Sequence, residues 1–147
     1  TSAPIHSFES YLFICEDIWH SVLPTFAAMQ GATLLIVPSA SPARGFAGEK
    51  VQNHTTYRRI CEGVSSEHGV FIINAQLVGF EGGKGFVGGS VITNPFGEVI
   101  AEGPVGEEAI ILADLDSDLV AIARAQTPLL SDKKTMWPRL LGIANNL

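Results

Sequence analysis

The stretch Tyr11-Leu12-Phe13-Ile14-Cys15-Glu16-Asp17-Ile18-Trp19 passes from apolar and β-like to charged at a cysteine. A thiol where a buried strand gives way to a polar loop stands where a nucleophile is usually held. The same pattern fits a buried structural thiol, because free cysteine is among the most buried residue types. Both readings stay open at this point. A thiolate beside Glu16 and Asp17 needs a compensating cation, and no Lys lies within thirty residues of Cys15. His20, five residues on, fits a surface or capping role better than a catalytic pair with Cys15.

Working outward, strand-like runs alternate with amphipathic segments, which predicts an α/β fold. Ser10 to Ile14 reads as a strand and Leu23 to Gln30 as a helix closed by Gly31. Thr33 to Val37 reads as a second buried strand stopped by Pro38. Ser39 to Gly48 is a Ser/Pro/Ala/Gly loop at a strand end, a place where functional groups collect. A long helix is expected over Glu49 to His68, with Val51, Tyr57, Ile60 and Val64 on one face, and Gly69 ends it. Val70 to Leu77 and Phe86 to Thr93 read as strands. Asn94-Pro95-Phe96-Gly97 makes a turn into Glu98 to Ala101, and Ala109 to Leu115 is expected to close the sheet. Helices are expected at Asp116 to Ala125 and Met136 to Asn145. No repeat or linker divides the 147 residues, so residues 1–147 are read as one unit.

Composition bounds the function. The net charge is −6, the pI near 5.1, and 46% of residues are hydrophobic. Basic residues cluster only as Arg58-Arg59 and Lys133-Lys134, which argues against a nucleic-acid partner. Apolar runs such as Thr33 to Val37 are far too short to span a bilayer, so no membrane partner is expected. Cys15 and Cys61 lack a CxxC or metal-type spacing, which fits free thiols in a cytoplasmic, reducing setting. Thr1 stands where an initiator Met would, so the chain is read as trimmed or as starting further upstream.

Several candidate sites resolve to ordinary readings. Gly79-Phe80-Glu81-Gly82-Gly83-Lys84-Gly85 resembles a phosphate cradle, but its Gly-Lys is followed by Gly-Phe and a strand, not by Ser/Thr and a helix. It is read as a loop whose Glu81 and Lys84 are solvated. His54 and His68 can share a helix face without making a metal site, His6 sits in a frayed start, and Cys61 reads as half-buried helix. No metal or other cofactor is expected.

Several ordered blocks together resemble the nitrilase superfamily of carbon-nitrogen hydrolases. They are Phe13 to Trp19, then Gly31-Ala32 with Leu34 to Ser39, Asn74 to Gly79, Phe86 to Ile92, and Asn94 to Ala101. The likeness runs from Phe13 to about Asp132 and is nearest to bacterial amidase-like members and to the glutaminase domain of NAD synthetases. It implies an α-β-β-α sandwich of which this chain is the C-terminal half. It also implies cleavage of a nonpeptide amide or nitrile, in which Cys15 forms a thioester or thioimidate that water resolves. The family's general base Glu and oxyanion-binding Lys come from upstream segments absent here, while the backbone N–H of Glu16 falls at the second oxyanion donor. By the same likeness Trp19, Ser39 and Arg44 are substrate-pocket candidates. The implied partners are a small-molecule substrate and either further copies in a homo-oligomer or a complementary N-terminal half, and the chain alone is expected to be inactive. Two other readings remain: a noncatalytic truncated assembly module, and a glutaminase domain of an NAD synthetase-like enzyme.

Overall fold

The computed structural model describes residues 2–5, 7–43, 46–47 and 50–146. Its framework is a six-stranded mixed sheet. In chain order it begins with β1 (Ser2–Ile5), β2 (Phe8–Leu12), a short 3-10 helix (Cys15–Trp19), α1 (Val22–Met29) and β3 (Leu34–Ser39). A small hairpin, β4 (Phe46–Ala47) and β5 (Lys50–Val51), leads into α2 (Gln52–His68) and β6 (Phe71–Gln76). A second hairpin, β7 (Val78–Glu81) and β8 (Lys84–Val87), precedes β9 (Val91–Thr93), β10 (Val99–Glu102), α3 (Asp118–Gln126) and α4 (Leu129–Ala144). The sheet order is β1-β2-β3-β6-β9-β10, with β2, β3 and β6 mutually parallel.

Strand alternation sorts the side chains to two faces. On one face Leu35, Val37 and Ile72 pack with Phe13, Ile18, Ala27 of α1, and Tyr57 and Cys61 of α2 in one closed core. On the other, Leu34 and Phe71 pack with Val120 of α3, flanked by half-buried Phe8, Ile36, Ile73 and Leu115. Toward β2 that second face opens, with Leu12 46% and Ile14 63% exposed.

The inner stripe of α2 is Tyr57, Cys61, Ser65 and His68, at the i, i+4 spacing of a buried helix face. Ile60 and Val64 flank it as expected. Val51 does not belong to it, since that residue lies in β5; the expected helix start at Glu49 falls outside the described residues. Cys61 is completely buried rather than half-buried, because it is central to the stripe. At the far end of the helix, Arg124 of α3 donates from Nε to the His68 carbonyl at 3.1 Å and from Nη2 to the Ala32 carbonyl at 2.6 Å. These bonds satisfy a terminal carbonyl with a cation, which suits the helix C-terminus.

Five expectations are corrected. Pro38 does not stop β3, which continues through Pro38↔Ala75 and Ser39↔Gln76 beside β6. The pairing with β2 has ended at Leu12↔Ile36, so β3 is an edge on that side and tolerates a residue without an N–H. The Gly79 to Gly85 loop is a tight hairpin: Gly82 and Gly83 both have positive φ (57° and 75°), as a two-residue type I′ turn demands. Phe86 to Thr93 is two strands, because Gly88 and Gly89 turn the chain with φ of 68° and 74°. Ala109 to Leu115 is not a strand of the sheet among the described residues; it leaves Ile110 and Leu112 almost fully exposed. The last helix begins at Leu129 rather than Met136 and carries Pro138 in its interior. Its Trp137 packs edge-on against Phe26 of α1 at 5.4 Å.

Candidate active site

In open α/β sheets, ligands gather beyond the carboxyl ends of the parallel strands. Here the chain leaves β2, makes one further ladder bond from Phe13 N–H to the Ile36 carbonyl at 2.9 Å, and turns at Cys15. Cys15 has φ of 51°, and among the described residues it is the one non-glycine with positive φ. An L-residue held there stores about 1–3 kcal/mol of strain, and such residues cluster at functional sites. Asp17 fixes the turn: its Oδ2 accepts from the Ile14 N–H at 2.8 Å, while its own N–H donates to the Ile14 carbonyl at 3.1 Å. The Glu16 N–H sits in the first turn of the 3-10 helix, where amides have no intrahelical acceptor.

The elbow opens into a cleft of about 470 Å³ lined by Cys15, Glu16, Trp19, His20, Ser41, Pro42, Asn53 and Tyr57. That volume suits a small organic ligand. Cys15 Sγ lies 3.3 Å from the Tyr57 hydroxyl, and Trp19 packs edge-on against the Tyr57 ring at 5.3 Å. Burial and then the hydrogen bond to Cys15 push the Tyr57 phenol up to about 12. Asn53 Nδ2 donates to the Pro42 carbonyl at 2.8 Å and to Ser41 Oγ at 3.2 Å, tying the start of α2 to the loop after β3. That loop is tied in turn to the β7–β8 hairpin by Ala43 N–H donating to the Gly85 carbonyl at 2.7 Å.

Of the residues singled out from sequence, Cys15, Glu16 and Trp19 meet at this cleft. Ser39 is buried outside its lining, where its Oγ accepts from Asn74 Nδ2 at 3.0 Å; Asn74 in turn accepts from Gln76 Nε2 at 2.8 Å. Arg44 lies outside the described residues, as does His6. His20 pairs with Glu16 at 3.5 Å on the rim rather than with Cys15. Glu81 and Lys84 face each other across the exposed hairpin, away from the cleft lining. His68 is buried at the far end of α2, and His54 leans toward Glu102 at 3.3 Å. Among the described residues no group of three His, Cys, Asp or Glu side chains is arranged to hold a metal, and no helix is long and apolar enough to cross a membrane. The sequence reading missed Tyr57, Asn53 and Ser41. A phenol on an otherwise apolar stripe was the available signal for Tyr57.

Known proteins are similar to this chain in sequence and in fold. A glutamine-dependent NAD(+) synthetase of Rhodobacter capsulatus is 33% identical over 104 residues, covering 70% of this chain and 18% of that protein. A carbon-nitrogen hydrolase from Helicobacter pylori G27 superposes with a TM-score of 0.78 at 26% identity, covering 92% of this chain and 50% of that one. An amidase from Nesterenkonia sp. AN1, seen with acrylamide added to its active-site cysteine, gives a TM-score of 0.67 at 27% identity over 86% of this chain and 46% of that one. The chain therefore spans about half the length of these two hydrolases and under a fifth of the synthetase. Residues 10–125 match the carbon-nitrogen hydrolase family, whose fold is the one seen here, and the chain belongs to that family.

Proposed function

We propose that the chain is the C-terminal portion of an amidase-type carbon-nitrogen hydrolase in which Cys15 is the nucleophile. The observation that carries the reading is the strained elbow: Cys15, at φ of 51°, stands just past a parallel strand and faces a cleft of ligand size. The acrylamide adduct on the active-site cysteine of the Nesterenkonia amidase supports the same assignment.

In this reading the Cys15 thiolate adds to the carbon of a small amide or nitrile. For an amide, the tetrahedral oxyanion accepts from the Glu16 N–H, the amine leaves with a proton, and water then hydrolyses the thioester. Trp19 walls the cleft; by the family likeness alone Ser39, which lies behind the lining, and Arg44 are the further substrate-pocket candidates. The general base Glu and the second oxyanion donor, a Lys, come from an upstream half of the sandwich. The open sheet face around Leu12, Ile14, Ile36 and Ile73 supports a missing layer there, supplied by that half or by another copy. Two free thiols support a cytoplasmic setting.

The test is ammonia release from small aliphatic amides, measured for the 147-residue chain and for the product of its complete reading frame. The expected result is turnover by the complete product alone, lost in Cys15→Ala. Amide hydrolysis by the isolated chain would remove the need for an upstream half, and turnover surviving Cys15→Ala would remove the nucleophile.

A further inference from the structure

The Tyr57 hydroxyl is, among the described residues, the side-chain group hydrogen-bonded to the Cys15 sulfur, at 3.3 Å. Its ring is fixed on two sides, by the edge-on contact with Trp19 and by the closed core containing Phe13, Ile18 and Cys61. It is 4% exposed. Because burial and the bond to Cys15 push the phenol up to about 12, it keeps its proton at working pH. It therefore faces the sulfur as a neutral donor.

Within this chain the surroundings favour a neutral donor. On the elbow's own helix, Glu16 is paired with His20 on the rim and the Asp17 carboxylate is bonded to the Ile14 N–H. From α2 the cleft receives Asn53 and Tyr57, and from the loop after β3 it receives Ser41, all uncharged. Among the described lining residues His20 is the one that can carry positive charge, and it stands against Glu16. What this chain itself offers to charge on sulfur is therefore dipoles, and hydrogen bonds to charged groups are about twice as strong as neutral ones.

We propose that Tyr57 is a further catalytic residue, whose hydroxyl donates a hydrogen bond to the Cys15 sulfur whenever that sulfur carries negative charge. This rests on Cys15 being the nucleophile. Two moments qualify. Before attack the donor holds the thiolate and aims its remaining lone pairs into the cleft. After water has added to the thioester, the C–S bond breaks, its electron pair returns to sulfur, the acid departs, and the same donor stabilises the leaving thiolate. The Tyr57 proton is never transferred, so the step balances without it.

The experiment is alkylation of the chain by iodoacetamide across pH, with peptide mapping to separate Cys15 from the buried Cys61. Tyr57→Phe keeps the ring on Trp19 and removes only the donor. Losing a hydrogen bond to a charged group should raise the midpoint of the Cys15 profile by about one pH unit and slow alkylation at neutral pH by about tenfold. Replacing Tyr57 by 3-fluorotyrosine, a more acidic phenol of nearly the same size, should lower the midpoint; it decides the matter if the Phe variant folds poorly. Profiles that do not move in the folded variants overturn the proposal, since packing alone would leave them unchanged. The readout needs no amide turnover. If Cys15 alkylation tracks Tyr57 while the complete product hydrolyses no amide, the amidase reading fails and the donor role stands.

Discussion

Within about three turns, the inner face of α2 meets two different environments. At one end Tyr57 touches the strained elbow and the open cleft. At the other, His68 is enclosed against Thr25 at 3.5 Å, its carbonyl held by Arg124, with Glu67 and Lys133 paired beside it. Cys61 lies between them, fully buried, with burial pushing its thiol up to about 12. Cys15 and Cys61 are chemically the same residue. What separates them is backbone and address: one ends a parallel strand in a left-handed elbow, the other fills a helix stripe inside the core.

The difference can be broken most severely at the elbow. In the complete product, Cys15→Ala should lower amide turnover by at least about 10³-fold, as removal of a nucleophile does, while Cys61→Ala leaves turnover within about twofold; ammonia release measures both. If the two substitutions had similar effects, the contrast would be lost.

At the closed end the expected effect is on stability. Burial, with Lys133 and Arg124 nearby, pulls His68 down to about 4, against the partial support of Glu67. Its Nδ1 finds no partner among the described residues. The folded pKa is below the unfolded value near 6.5, so the unfolded chain binds more protons in between. The stabilising contribution is therefore fully present above pH 6.5 and is lost as pH falls toward 4, by up to about 3 kcal/mol. Urea unfolding at a series of pH values should show that slope, flattened in His68→Gln.

Smaller changes sharpen the contrast. Cys61→Ala should cost about 1–2 kcal/mol through the cavity it leaves, read as a lower urea midpoint with unchanged slope. Cys15→Gly should act in the opposite direction, gaining about 0.5–1 kcal/mol, because glycine relieves the positive φ. A loss of stability in Cys15→Gly would mean the elbow is not strained.

Much of this architecture was legible in the residues. The run into Cys15, the buried strands around Leu34 to Val37 and Phe71 to Gln76, and the helix ending at His68 all follow from apolar periodicity and turn residues. Pro38 misled because its tolerance depends on where β2 stops pairing, which local sequence does not record. Gly82-Gly83 was legible as a place for left-handed backbone, as its positive φ values show, but its hairpin depends on Val78↔Val87 pairing across it. Ala109 to Leu115 has a strand's composition, yet a strand also needs a partner. In the site, Cys15, Glu16 and Trp19 were legible because they are contiguous. Tyr57 was not, since 42 residues separate it from the sulfur it touches, and only the β3-α2-β6 crossover brings them together.

The central claim is that the Cys15 sulfur becomes covalently bound to substrate. Its most direct test is acid quenching of the complete product during turnover of a small aliphatic amide, followed by mass spectrometry of its peptides. An acyl group on the Cys15 peptide, absent in Cys15→Ala and never found on Cys61, is the result this account predicts. Turnover with no acyl group on Cys15, or acylation at another residue, would contradict it.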